Sequence, residues 1–242
     1  MPTREYYDRY WSPGGSYPGG APSPQLRKAL EQEVGPTSRV LDFGCGDGRS
    51  IGRWLADRAQ SYLGTDISAI AVESCHELGL EAAVVDSEAS IPLDDASIDT
   101  AVAIEVLEHL LEPLTCVIEL RRVIAPGGTL IVTTPNVAYW RRRLGMAAGR
   151  WNPGGDALSV EQPWRDPHLR FFTRGTLHQM LNLAGFPDVT VTGHDGAMLA
   201  DMPLTGRWAR HRGSALYRSL ERIAPAMFGG RLLAIARKPS SV

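Results

Sequence analysis

This sequence predicts an α/β fold, a mostly parallel sheet with helices on both faces. Three observations lead there. Short apolar runs alternate with helix-period segments from residue 38 to residue 135, as in a parallel sheet covered on both sides. The first run ends in a glycine turn, Gly44-Cys45-Gly46-Asp47-Gly48, that opens a helix. The runs also end on acids, Asp42, Asp66, Asp86 and Glu105, at the strand carboxyl ends where such sheets bind ligands.

Residues 1–22 carry Tyr6, Tyr7, Tyr10 and Trp11, then a Gly/Pro-rich run ending at Pro22. The segment has no period and reads as a loop or arm. It is either a disordered tail or a lid whose aromatic rings close over a ligand. Docking is favoured because large aromatic rings gain from burial. Ser23-Pro24 then reads as an N-cap with proline at the first helical position. Leu26, Ala29, Leu30 and Val34 mark one helical face, stopped by Gly35-Pro36.

Strand one is the Val40-Leu41 run ending at Asp42, and a helix follows the turn over Ser50–Asp57. Strand two is Ser61–Thr65, ending at Asp66, and Ser68 caps a helix running to Leu78. Strand three is Ala82–Val85, strand four ends at Ile104, and Glu112–Ile124 is helical until Ala125-Pro-Gly-Gly128. Strand five is Thr129–Thr134, and a helix starts near Thr173. Asp188–Thr192 and Arg231–Arg237 suit two further strands.

The glycine turn has the spacing G-x-G-x-G rather than the G-x-G-x-x-G of dinucleotide enzymes. Asp42 just before it would repel a phosphate and welcome an ammonium. That combination favours S-adenosylmethionine, which has an ammonium, a carboxylate and a sulfonium but no phosphate. Asp66, about twenty residues beyond the glycines, stands where a ribose-binding carboxylate belongs. An acid at the end of strand three, Asp86, could accept from the adenine amino group.

Composition bounds the alternatives. The chain has 242 residues, 43% apolar and 21% charged, with a net charge of −2, which is ordinary for a globular protein. No global charge draws it to nucleic acid. Cys45, Cys75 and Cys116 show no C-x-x-C spacing and read as free thiols in a reducing cytoplasm. The first eleven residues lack the apolar core of a signal peptide. No apolar run approaches the ~20 residues of a membrane span.

VLDFGCGDG, YLGTDIS, IPLDDASIDTAVAIEVLEHL, LRRVIAPGGTLIVTTPN and FFTRGTLHQMLNLAGF resemble, in order and spacing, the class I S-adenosylmethionine-dependent methyltransferases. The resemblance covers roughly residues 38–190. It implies a Rossmann-like, seven-stranded sheet of order 3-2-1-4-5-7-6, with strand seven antiparallel. It implies a methyltransferase domain over 38–242, preceded by an arm and helix over 1–37 and carrying a substrate-side insertion at 139–172. The cofactor residues it implies are Asp42, Gly44, Cys45, Gly46, Gly48, Asp66, Ile67, Asp86, Ser87 and Glu105.

Glu105-x-x-Glu108-His109 is the second constellation. On one helical turn these three share a face. Two carboxylates and an imidazole suit Mg2+ or another divalent ion, and His168 supplies a fourth ligand. E-x-x-E-H with a downstream His resembles the metal site of RNA 3′-terminal 2′-O-methyltransferases, and ubiquinone-type O-methyltransferases carry a similar pattern. A metal would lower the pKa of an acceptor hydroxyl. Without one, Glu105 faces the cofactor and His168 serves as general base.

The insertion over 139–172 mixes Arg141, Arg142, Arg143, Arg150, Arg165 and Arg170 with Trp140, Trp151 and Trp164. It suits a carbohydrate, an aromatic acid or a phosphorylated acceptor. It also reads as a helix with a solvated Arg face. Aromatic–basic interleaving also fits RNA, but the acidic stretch from Glu81 to Glu119 holds no Lys or Arg and argues against a large polyanion. The segment from Pro135 to Thr173 resembles the MetW-like group as well, which would make the chain a non-catalytic partner of another enzyme. In that group the residues matching Glu105–His109 are usually not E-x-x-E-H. The expectation is therefore O-methylation of a small molecule. A helix over Gly213–Met227, with Leu216, Leu220, Ile223 and Met227 on one face, would pack in the core or between two copies.

Overall fold

In the computed structural model, the structure describes residues 4–12, 22–85, 90–150, 168–195, 219–220 and 223–240. Seven strands form one sheet of order β3-β2-β1-β4-β5-β7-β6. They are β1 (Arg39–Phe43), β2 (Ser61–Asp66), β3 (Ala82–Val84), β4 (Ile98–Ile104), β5 (Ile124–Pro135), β6 (Asp188–His194) and β7 (Arg231–Arg237). Neighbours from β3 to β5 pair parallel, while β7 runs antiparallel to both β5 and β6.

Period-two alternation divides the strand residues between two cores. Leu41, Phe43, Ala101, Ala103, Leu130, Val132 and Ala234 face one side, against α5 (Pro113–Val123) and α7 (Arg174–Leu183). Val40, Val102, Ile131 and Leu233 face the other, against α2 (Pro24–Glu33), α3 (Gly52–Ala56) and α4 (Ala69–Glu77). A strand buried on both faces needs apolar residues throughout, which is why β1, RVLDF, reads as a run rather than an alternation.

Two helix starts follow the residues predicted to cap them. Ser23 Oγ accepts from Leu26 N of α2, with Pro24 at the first helical position. Ser68 Oγ accepts from Ala71 N of α4. Thr173 and Thr176 form a reciprocal capping box on α7.

Two expectations need amendment, and two others fall partly outside the described residues. The aromatic arm is a helix, α1 (Arg4–Trp11), and it packs against α4. The strand predicted over Thr129–Thr134 already begins at Ile124. The pairing with β4 jumps from Ile98↔Ile124 to Thr100↔Thr129, so Ala125-Pro-Gly-Gly128 bulges from a continuing strand instead of separating two elements. The insertion contributes α6 (Trp140–Ala147), and residues 151–167 lie outside the described residues. Of the helix expected over 213–227, most lies outside them too. What is described ends in a short helix, α8 (Pro225–Phe228), packed on β6. No described helix is long and apolar enough to cross a membrane.

Candidate functional site

The glycine turn closes the carboxyl end of β1. Gly44, Gly46 and Gly48 all take positive φ, 73°, 56° and 73°, a region that costs an L side chain ~1–2 kcal/mol. Gly44 N and Cys45 N donate to Thr65 O at 2.7 and 2.9 Å, and Gly46 N donates to Asp66 Oδ2 at 2.9 Å. Three of the turn amides are thus committed to the end of β2, and Gly48 N donates back to Cys45 O. A Cβ on Gly46 would lie 2.6 Å from the Trp11 ring. Only glycine lets α1 press this closely on the turn.

Asp42 and Asp66 stand at the ends of adjacent strands. Asp42 is 1% exposed and accepts from the Tyr62 hydroxyl at 3.0 Å. Burial pushes its carboxyl up to about 7, against the opposing pull of the Tyr62 hydrogen bond. Asp66 is also raised, first by burial, with the Ser68, Gly46 and Ile67 backbone N–H groups opposing. Its Oδ1 caps the next element by accepting from Ser68 N at 2.9 Å. Ile67 O accepts from Arg4 Nε of α1 at 3.2 Å. Cys45 is buried, with its Sγ 3.8 Å from Cys75 Sγ, and both are free thiols, as is Cys116. Asp86 and Ser87, expected on the adenine side, lie outside the described residues.

Glu105, Glu108 and His109 do not share one helical face as expected. The helical turn is a short 3-10 segment, Leu107–His109. Glu105 precedes it with φ at 56°, so its side chain leaves in a different direction. Its N–H donates to Thr133 O at 3.0 Å. Its Oε2 pairs with Arg231 Nε at 3.0 Å, and Arg231 also holds Asp195 at 3.0 Å. Arg231 opens β7, nearly 130 residues away in sequence, so nothing local to Glu105 announces the pair.

Glu108, His109 and His168 do come together. Leu169 N and Arg170 N both donate to Glu108 O, at 2.7 and 2.9 Å, and this backbone docking carries His168 to the 3-10 segment. Glu108 Oε1 lies 4.0 Å from His109 Nε2 and 3.9 Å from His168 Nε2, and the imidazole centroids are 4.8 Å apart. One ligand atom from each of the three falls within 4.8 Å of the others. The Glu108 side chain is 1% exposed, and neither carboxyl oxygen has a hydrogen-bond partner among the described residues. Burial, then the nearby Glu105 charge, holds its carboxyl well above the usual range. The Thr134 hydroxyl and Arg231 oppose that rise. A buried carboxyl beside two imidazoles is a donor set that suits a divalent cation.

Sequence reasoning named Tyr7 among four arm aromatics without singling it out. Its ring meets the His109 edge at 6.2 Å between centroids, and its buried hydroxyl has no hydrogen-bond partner among the described residues. The aromatic run marked the arm, but no local pattern selects Tyr7 from its neighbours.

Comparison with known proteins accords with this geometry. A family model described as a methyltransferase domain matches residues 19–191. A protein described as a probable S-adenosylmethionine-dependent methyltransferase from Mycolicibacterium smegmatis is 31% identical over 198 residues, covering 81% of this chain and 68% of that protein. A similarly described relative from Mycobacterium tuberculosis is 32% identical over 73% of this chain, which spans only 57% of that relative's length. A ubiquinone biosynthesis O-methyltransferase from Idiomarina loihiensis is 26% identical over 76% of this chain and 77% of its own. Among solved structures, an S-adenosylmethionine-dependent methyltransferase from Methanosarcina mazei superposes with a TM-score of 0.61 at 18% identity, covering 91% of this chain and 99% of that one. That last likeness speaks to the fold alone. With its glycine turn, its strand-end acids and the sheet order 3-2-1-4-5-7-6, the chain belongs to the class I S-adenosylmethionine-dependent methyltransferases.

Proposed function

We propose that this chain methylates a hydroxyl of a small molecule, with the acceptor activated beside Glu108, His109 and His168. The observation that carries the reading is the buried Glu108 carboxyl, flanked by two imidazoles. Burial disfavours the ionised form of this carboxyl, and a cation bound beside it would restore the charge.

S-adenosylmethionine supplies the methyl group as an electrophile on sulfur. Asp42 and the turn Gly44-Cys45-Gly46-Asp47-Gly48 hold its methionine end, Asp66 and Ile67 its ribose, and Asp86 and Ser87 its adenine. Glu105 faces the cofactor from the end of β4, oriented by Arg231. These residues align sulfur, methyl carbon and acceptor oxygen, and alignment supplies much of the rate in such a displacement.

Glu108, His109 and His168 would hold Mg2+, Mn2+ or a related divalent ion, which lowers the pKa of a bound hydroxyl. Glu105 stands outside this set because Arg231 claims it. The Arg- and Trp-bearing insertion over 139–172, which contains His168, contributes acceptor contacts. The kinship with ubiquinone biosynthesis O-methyltransferases supports oxygen as the receiving atom.

The test is transfer from methyl-labelled S-adenosylmethionine to a panel of catechols, phenols and sugars, with and without excess chelator. An O-methyl ether whose formation stops on chelation and returns with Mg2+ is the expected result. Full turnover in chelator would replace the metal with His168 as the general base. A product methylated on nitrogen or carbon would overturn the assignment to oxygen.

A further inference from the structure

Helix α1 touches both halves of the site, and each contact has its own chemistry. On the cofactor side Trp11 lies on Gly46, and Arg4 Nε donates to Ile67 O. Asp8 Oδ1 accepts from Ser68 Oγ at 2.7 Å, two residues beyond Asp66. On the acceptor side the Tyr7 ring abuts His109. Tyr7 therefore stands over the interval that separates the ribose-binding end of β2 from the Glu108–His109–His168 cluster. Its phenol senses the charges of both Asp66 and Glu108.

The Tyr7 hydroxyl is shut off from solvent and makes no hydrogen bond among the described residues. Such a group is a standing cost, and α1 has other ways to bury an aromatic ring. A phenylalanine would serve the packing equally well. The hydroxyl gains its partner only when something fills the interval beneath it.

We infer that α1 is a lid over the cofactor and that the Tyr7 hydroxyl hydrogen-bonds S-adenosylmethionine at the boundary between the cofactor and acceptor sites. A phenol carries an O–H donor, so it can give this bond. Trp11, Asp8 and Arg4 set the position of the helix, and Tyr7 supplies the ligand contact. This inference needs the family's cofactor but neither the metal nor the choice of oxygen as acceptor.

The experiment titrates S-adenosylhomocysteine into wild type and Tyr7→Phe by calorimetry, with thermal melting of both unliganded proteins. Because the lost hydroxyl has no partner without ligand, Tyr7→Phe melts at or above the wild-type temperature. It binds S-adenosylhomocysteine about tenfold more weakly, the worth of one buried hydrogen bond. Amide exchange on the wild-type protein adds a second readout, with residues 4–12 gaining protection when S-adenosylhomocysteine binds. Equal affinity in the two proteins would overturn the contact, whether or not the variant melts lower. Unchanged or faster exchange over 4–12 would overturn the lid. Failure of wild type itself to bind would overturn both, along with the cofactor assignment.

Discussion

Asp42 carries the site's sharpest pH dependence. Its folded pKa of about 7 exceeds the unfolded value of about 3.9, so the folded chain holds this proton more tightly. The stability linked to it is complete below about pH 4 and is lost as pH rises through 7. Asp42→Asn therefore melts higher than unliganded wild type at about pH 8, and the gap narrows toward pH 5. Ligand binding runs the other way, because the cofactor ammonium needs the ionised carboxyl. Wild-type affinity for S-adenosylmethionine should fall as pH drops below 7, and Asp42→Asn should bind weakly with a flat profile. A variant with wild-type affinity and slope across that range would remove Asp42 from the ligand contacts. The strand-end acids were legible at this scale because each ends an apolar run. Glu105 was only half legible. Its positive φ and its pair with Arg231 come from contacts between β4 and β7 ends that no local spacing encodes.

At the scale of elements, the glycine turn and α1 behave as one unit. Gly46→Ala forces a side chain into positive φ and into the Trp11 ring. The backbone part alone costs about 1–2 kcal/mol, and the clash adds to it. Trp11→Ala removes the clash but not the backbone strain. In urea denaturation the double variant should thus lose less than the sum of the single losses. Strict additivity would mean that Trp11 does not rest on Gly46 in solution. Ser23 is a second junction, capping α2 while its hydroxyl meets His194 Nδ1 of β6 at 2.9 Å. Ser23→Ala should cost about 1 kcal/mol or somewhat more, read as a lower urea midpoint. Caps such as Ser23 and Ser68 are readable because capping is local chemistry. The helical state of α1 was not readable, since its aromatic spacing supports a helix only once α4 and the turn give it a surface to cover. β5 misled for a similar reason, since Pro126-Gly127-Gly128 signals a break that the sheet absorbs as a bulge.

At the scale of the whole molecule, two cores separated by one sheet hold six strand ends and loops in fixed relation along a single edge. That rigidity lets 168–171 dock on the 3-10 segment and deliver His168 to Glu108. Sheet order followed from the family resemblance, and Glu108, His109 and His168 were named from the sequence, whereas the departure of Glu105 from that set needed the fold. The most direct test of the central claim is a titration of Mn2+, followed by its electron paramagnetic resonance signal, into wild type and Glu108→Gln. The variant replaces a buried carboxyl that burial already holds toward its neutral form with a neutral amide of similar shape, so it should fold and melt close to wild type. The account predicts one bound Mn2+ per wild-type chain, displaced by Mg2+, and none in Glu108→Gln. A wild-type chain that leaves all the Mn2+ free, or a variant that binds it equally well, would contradict it.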